Sequence, residues 1–182
     1  MEDEPEPNPT CKKGVSKRAQ VTCQLEIRTH ISLIMQAHFQ LLQLAADVAC
    51  MSCYFSACAP IFLKLADRAK VQAGMVIDAV LKQGGTVELS AIPTPCPNLA
   101  FDSDIGEQTL AAALEACIQI ESSKNLQRLV ETAKASPSFR RTAEDIWIES
   151  ENTQDQLTRV LSTISTTKNK VEAITYTLTH IK

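Results

Sequence analysis

Apolar side chains recur every three or four residues along most of this chain. Between about residues 20 and 48 the positions Ile27, Ile31, Ile34, His38, Leu41, Ala45 and Val48 keep that spacing, which predicts one long helix with a single buried stripe. The pattern loosens over 50–59. Ile61, Leu65, Ala69, Val76 and Val80 then predict a second helix, with Pro60 suited to its first turn and Gly84-Gly85 able to supply a left-handed stop. A third stripe follows in Leu110, Leu114, Cys117, Ile118, Glu121, Leu129 and Val130, and should end near Ser136-Pro137. A fourth begins around Arg141 and runs through Ile146, Leu157, Val160, Leu161 and Ile164 towards Ile174 and Leu178, against the weak helix propensity of its many threonines.

The connection over 86–105 opens with the extended run Thr86-Val87-Glu88-Leu89 and carries Pro93, Pro95 and Pro97. It is too long to join two adjacent antiparallel helices directly. Two long helical hairpins joined by one long crossover between helices two and three give an all-α four-helix bundle.

Composition agrees with one helical domain. The 182 residues are 45% hydrophobic and 21% charged with only five glycines, enough to build a core without disulfides or a structural metal. Residues 1–19 read as a flexible N-terminal arm and 20–182 as the domain, because 1–17 hold three of the eight prolines and much of the early charge. Lys12, Lys13, Lys17 and Arg18 make a short basic run there, a weak nuclear signal or simply a solvated tail. Eighteen basic against 21 acidic residues leave a net charge of −3, so no global field favours nucleic acid or anionic membrane. The apolar stretches 31–46 and 48–63 fall short of the ~20 residues that cross a bilayer, and Gln36, His38, Gln40, Gln43 and Pro60 interrupt them. The seven cysteines are odd in number and the first residues are acidic, a pattern expected of a reduced, cytoplasmic protein.

Few side chains are arranged for chemistry. Cys50-Met51-Ser52-Cys53 has the two-residue gap of zinc and redox sites, with Cys58 nearby, but no second pair accompanies it and the cysteines read as small core residues. His30 and His38 lie two turns apart on helix one without acidic neighbours, a packing arrangement first and an adventitious metal site second. Cys96 has no base to activate it, and no phosphate-cradling glycine pattern occurs.

Several short segments, taken in order, carry a family likeness. Lys82-Gln83-Gly84-Gly85-Thr86-Val87 followed by Ile92-Pro93-Thr94-Pro95 resembles the turn and proline-ended crossover loop after the second helix of animal ferritins. Glu115 through Ile118-Gln119-Ile120-Glu121, with Asn125 and Leu129, looks like the ferritin third helix. Asp145-Ile146-Trp147-Ile148-Glu149-Ser150 and Asp155-Gln156-Leu157 are similar to the fourth, and Ile27, Ile31 and Leu33 fall on apolar positions of the first. The likeness spans residues 20–171.

It implies a ferritin-like subunit in intracellular iron storage, assembling with copies of itself or with other ferritin subunits. Its iron-oxidising centre is degenerate. The position of the first-helix glutamate is Ile34, and those of the second-helix glutamate and histidine are Ala69 and Gln72. Glu121 and Gln156 keep ligand-type side chains, and no Glu-x-x-His motif occurs in the chain. A paired iron site needs carboxylates from facing helices together with that motif. The resemblance thus implies weak iron binding without oxidase activity, Glu121 being otherwise a buried, paired acid, and it sets a non-iron structural or interaction protein of the same fold beside the iron-storing one. Of the acids by which light chains seed mineral, only Asp67 has a counterpart. Asp145 and Glu149 match the acids lining the channels through which iron passes, and otherwise form a solvated face balanced by Arg140 or Arg141. With Ile34, Ala69 and Gln72 in place of ligands, the bundle centre is expected to be drier than that of a metal-binding relative. The length beyond Gln156 is taken up by helix four, so no complete fifth helix is expected, and small oligomers rather than a closed shell follow.

Overall fold

The computed structural model describes residues 17–50, 56–87, 106–167 and 169–181, of which 17–24, 106–109, 135 and 170 are described in backbone alone. Every regular element among them is helical. In chain order they are α1 (Lys17–Cys50), a 3₁₀ turn (Ser56–Cys58), α2 (Ala59–Leu81), α3 (Gly106–Ser123), α4 (Leu126–Thr132), a second 3₁₀ turn (Ala133–Ala135), α5 (Pro137–Ile164) and α6 (Lys170–His180). No helix among the described residues is long and apolar enough to cross a membrane.

The predicted stripe of α1 is its buried face. Ile27, Ile31, Ile34, Leu41, Ala45 and Val48 join Ile61, Leu65, Ala69, Val76 and Val80 of α2 in one core cluster, and α1 against α2 is the most extensive helix pairing. Each large aliphatic side chain so buried contributes roughly 1.5–3 kcal/mol. Helix α1 takes in 17–19, which the sequence reading gave to the N-terminal arm; the rest of that arm lies outside the described residues.

Gly84 ends the second helical stretch at φ +72°, and Gly85 donates its N–H to the Val80 carbonyl at 3.1 Å. A Cβ on Gly85 would stand 2.8 Å from Val80 Cγ1, so the turn requires glycine twice, for conformation and for room. Thr86 and Val87 then leave α2 without regular structure, while Glu88, Leu89 and the prolines of the connection lie outside the described residues. The chain returns with α3, and each of α1, α2, α5 and α3 lies against two of the others, in that cyclic order.

Two expectations need correction. The third helix is not continuous to Ser136: it stops at Ser123, Asn125 turns left-handed at φ 50°, and α4 restarts at Leu126. Leu126, Leu129 and Ala133 stay buried across the break, so the apolar phase survives an interruption that only the backbone reveals. Asparagine is the side chain that best tolerates this conformation after glycine. Nor does the fourth helix begin at Arg141 or reach Leu178. It starts at Pro137, whose fixed φ suits a first turn, and stops at Ile164. There Ser165, Thr166 and Thr167 turn their hydroxyls onto the carbonyls of Ser162 and Thr163 at 2.8–3.0 Å, competing with the helical ladder. The separate helix α6 follows, capped by Asn169, whose side chain accepts from the Val171 N–H at 3.0 Å. Ala173, Ile174, Thr177 and Ile181 are buried as α6 packs on α5, α3 and the Ser56–Cys58 turn. A short helix after the fourth therefore exists, contrary to the expectation drawn from chain length.

Candidate functional site

The core phase of α3 brings a carboxylate into the interior. Leu110, Leu114, Cys117, Glu121 and Lys124 follow one another at helical spacing, and all are buried. Glu121 is 1% exposed and Lys124 not at all. The Lys124 ammonium donates to both Glu121 oxygens at 2.8 Å and to Gln72 Oε1 of α2 at 3.1 Å, which uses all three of its protons. Glu121 accepts a further bond from Ser150 Oγ of α5 at 2.8 Å, and Arg68 of α2 lies 3.4 Å from its other oxygen. Gln72 passes the network on by donating to Glu149 Oε2 at 2.8 Å, and Arg68 donates to Thr153 Oγ1. Two cations, Arg68 and Lys124, thus meet the one carboxylate of Glu121, and the Gln72 amide ties Glu149 to the Lys124 end of the network.

Burial pulls the Lys124 ammonium below the usual lysine pKa, and the adjoining Glu121 carboxylate works against that shift. The Cys117 thiol, on the same face, is pushed up by burial first and by Glu121 second, so it stays protonated. Beside the cluster a cleft of about 180 Å³ is lined by Glu121, Ser150, Asn125, Trp147, Glu151 and Gln154, among others. Its polar groups pair among themselves: Trp147 Nε1 donates to Glu151 at 3.2 Å and Ser122 Oγ to Gln154 at 3.1 Å.

The sequence-derived positions separate here. Ile34 and Ala69 are fully buried in the apolar core, as their side chains require. Gln72, at 0% exposure, belongs to a charged network rather than to an apolar filling. Glu121 is brought into that network and Glu149 reaches it from an exposed position on α5. Gln156 and Asp145 lie on the exposed side of α5 and are not brought to Glu121. The α5 positions that face it are Ser150 and, through Arg68, Thr153. Arg140 pairs with Glu144 at 2.7 Å, not with Asp145 or Glu149. These residues do not fit a paired iron site: the carboxylate best placed for one is held by an internal ammonium. Among the described residues no group of three or more His, Cys, Asp or Glu side chains is assembled that could hold a metal ion.

Lys124, Arg68 and Ser150 escaped the sequence reading. A signal existed, since Lys124 and Ser150 sit on the same phase as Cys117 and Ile146, where apolar residues belong. His38 is buried with Nδ1 2.8 Å from the Ala66 carbonyl, and His30 is buried a separate two turns away, so the two rings form no joint site. Burial pushes the Cys58 thiol up to about 11, whereas Cys50 is exposed; Cys53 and Cys96 lie outside the described residues. No protein-family model, no curated protein and no solved structure matches the chain.

Proposed function

We propose that this chain is a ferritin-like four-helix bundle subunit, with α1, α2, the α3–α4 unit and α5 as its four helices and the long crossover between α2 and α3, acting in cytoplasmic iron storage without oxidising iron itself. Iron is handled as weakly bound cargo, and the partners are copies of the same chain or other ferritin subunits rather than nucleic acid or membrane. The observation that carries the non-oxidising part is the Lys124 ammonium, bonded at 2.8 Å to both oxygens of Glu121. Glu121 is the residue that the ferritin resemblance gives to iron ligation. A divalent ion would have to displace an internal cation already in contact with its best ligand, and both alternatives are charged, so the metal gains little. Mixing the protein with ferrous iron in a stopped-flow instrument should show oxidation no faster than in buffer. Rapid oxidation abolished by Glu121→Ala would overturn the reading.

A second reading, a structural or interaction protein of the same fold that stores no iron, is favoured by the closure of the network on itself. Glu121, Lys124 and Gln72 spend their hydrogen-bonding groups on one another and on Ser150 and Glu149. Light scattering after size exclusion, with and without iron and with a complete ferritin subunit, separates the two: only the first predicts iron retained in the protein peak.

A further inference from the structure

Where α3 stops and α4 restarts, the side of the bundle shared with α5 holds the cleft of about 180 Å³. Drug-sized ligands fill roughly 300–1,000 Å³, so this cleft has room for a small metabolite. Its charged lining is of one sign, Glu121 and Glu151, with no lysine, arginine or histidine among the described lining residues. Glu121 is already engaged by Lys124 and Arg68. Glu151 is exposed and makes no ion pair among the described residues. One of its oxygens accepts from Trp147 Nε1 at 3.2 Å, which sets the carboxylate against the edge of the half-buried indole and leaves the other oxygen open. Leu126, 5% exposed, adds an apolar part to the lining. The Asn125 side chain and the Gln154 amide nitrogen, also at the cleft, make no hydrogen bond among the described residues.

We propose that this cleft binds a small organic ammonium ion, its positive charge set between the Trp147 indole and the open oxygen of Glu151. An indole attracts a cation through its ring electrons, the more so where the ion sheds water, and a carboxylate adjoining the same ring adds ion-pair attraction at the same point. An anion would meet carboxylates and no basic partner in the lining. A hard metal ion fits less well, because it demands several charged oxygen ligands and Glu121 is held by its own cations. Alkyl groups on the nitrogen suit the site, since Leu126 and the indole carbons offer them apolar surface. The carboxamides of Asn125 and Gln154 are left for a hydroxyl or other polar end of the same molecule. Nothing in this recognition uses iron, so its failure would leave the storage reading untouched.

Trp147 is the chain's single tryptophan and lines the cleft, so its emission reports occupancy directly. The full chain is titrated with choline chloride at constant ionic strength, with sodium chloride and the uncharged analogue of choline, carbon in place of nitrogen, as parallel probes. Trp147 emission should change saturably at millimolar choline or below, and saturation transfer in magnetic resonance should reach the choline methyl groups. Neither effect is expected with sodium or with the analogue. Glu151→Gln keeps an acceptor for the indole N–H and removes the charge, and should weaken choline binding at least about fivefold. Glu144→Gln, which removes a carboxylate of α5 outside the cleft, should bind as the unaltered chain does. If Glu151→Gln does not fold, the comparison of choline with its analogue on the unaltered chain decides. Equal binding of the two overturns the proposal, as do undiminished affinity in Glu151→Gln and the absence of both an emission change and saturation transfer.

Discussion

At the scale of single residues, the interior is governed by one ion pair that no apolar pattern announced. Glu121 lies in the last turn of α3 and Lys124 three residues on, just past its end at Ser123, and their side chains are wholly inaccessible. Two charges taken out of water are held there only because each is fully bonded, so losing one partner strands the other. Lys124→Met and Glu121→Gln should each destabilise by about 3–5 kcal/mol in urea melts. The double variant Glu121→Leu with Lys124→Met removes both charges, and should lose clearly less than the sum of a Glu121→Leu and a Lys124→Met loss. A coupling energy below about 0.5 kcal/mol in that cycle would mean that the pair is hydrated and unlinked. What the sequence did disclose was Glu121 as a candidate buried acid; its cation stayed hidden because a lysine at a core position reads as surface until its partners are seen.

At the scale of elements, periodicity was informative about which faces are buried and silent about where the backbone turns. Ile27 to Val48 and Ile61 to Val80 gave α1 and α2 to within a few residues, and Gly84-Gly85 gave the stop. Across Asn125 the same phase continued through Leu126 and Leu129, so hydrophobic spacing could not distinguish one helix from two. The left-handed Asn125 should accept glycine with little change, whereas Asn125→Val should cost roughly 1–2 kcal/mol because a branched side chain is strained at positive φ. Equal melting of the two variants would show that the break relaxes. The end of α5 was hidden for another reason, since threonine is compatible with a helix and with the hydroxyl-to-carbonyl bonds that end one. Helix α6 buries Ile174 and Ile181 against the rest, so a chain ending at Ser165 should be less stable by at least about 3 kcal/mol. A truncated chain that melts like the full one would make α6 a loose appendage.

For the whole molecule, the all-helical class was legible because the chain is poor in aromatic residues and its apolar spacing is helical nearly throughout. The candidate site was less so: the ferritin-type alignment placed Gln156 in the interior, whereas α5 presents Ser150 there and turns Gln156 outward. The register of a helix about its own axis is fixed by its neighbours, and short motif matches do not contain it. The charges are distributed in a way that makes a final prediction about the intact protein. Net charge is only −3, and the ion pairs with exposed partners, Arg140 with Glu144 and Arg128 with Glu26, are of the kind that contributes little. The strong pair lies where counterions do not reach. Screening acts on exposed charges, with a reach of about 10 Å at 0.1 M salt, and scarcely on buried ones. Stability measured in urea should therefore change by less than about 0.5 kcal/mol between low and roughly half-molar sodium chloride. A fall of more than about 1.5 kcal/mol over that range would show that ions enter the Glu121 network, and with it that Lys124 does not keep the interior closed to iron.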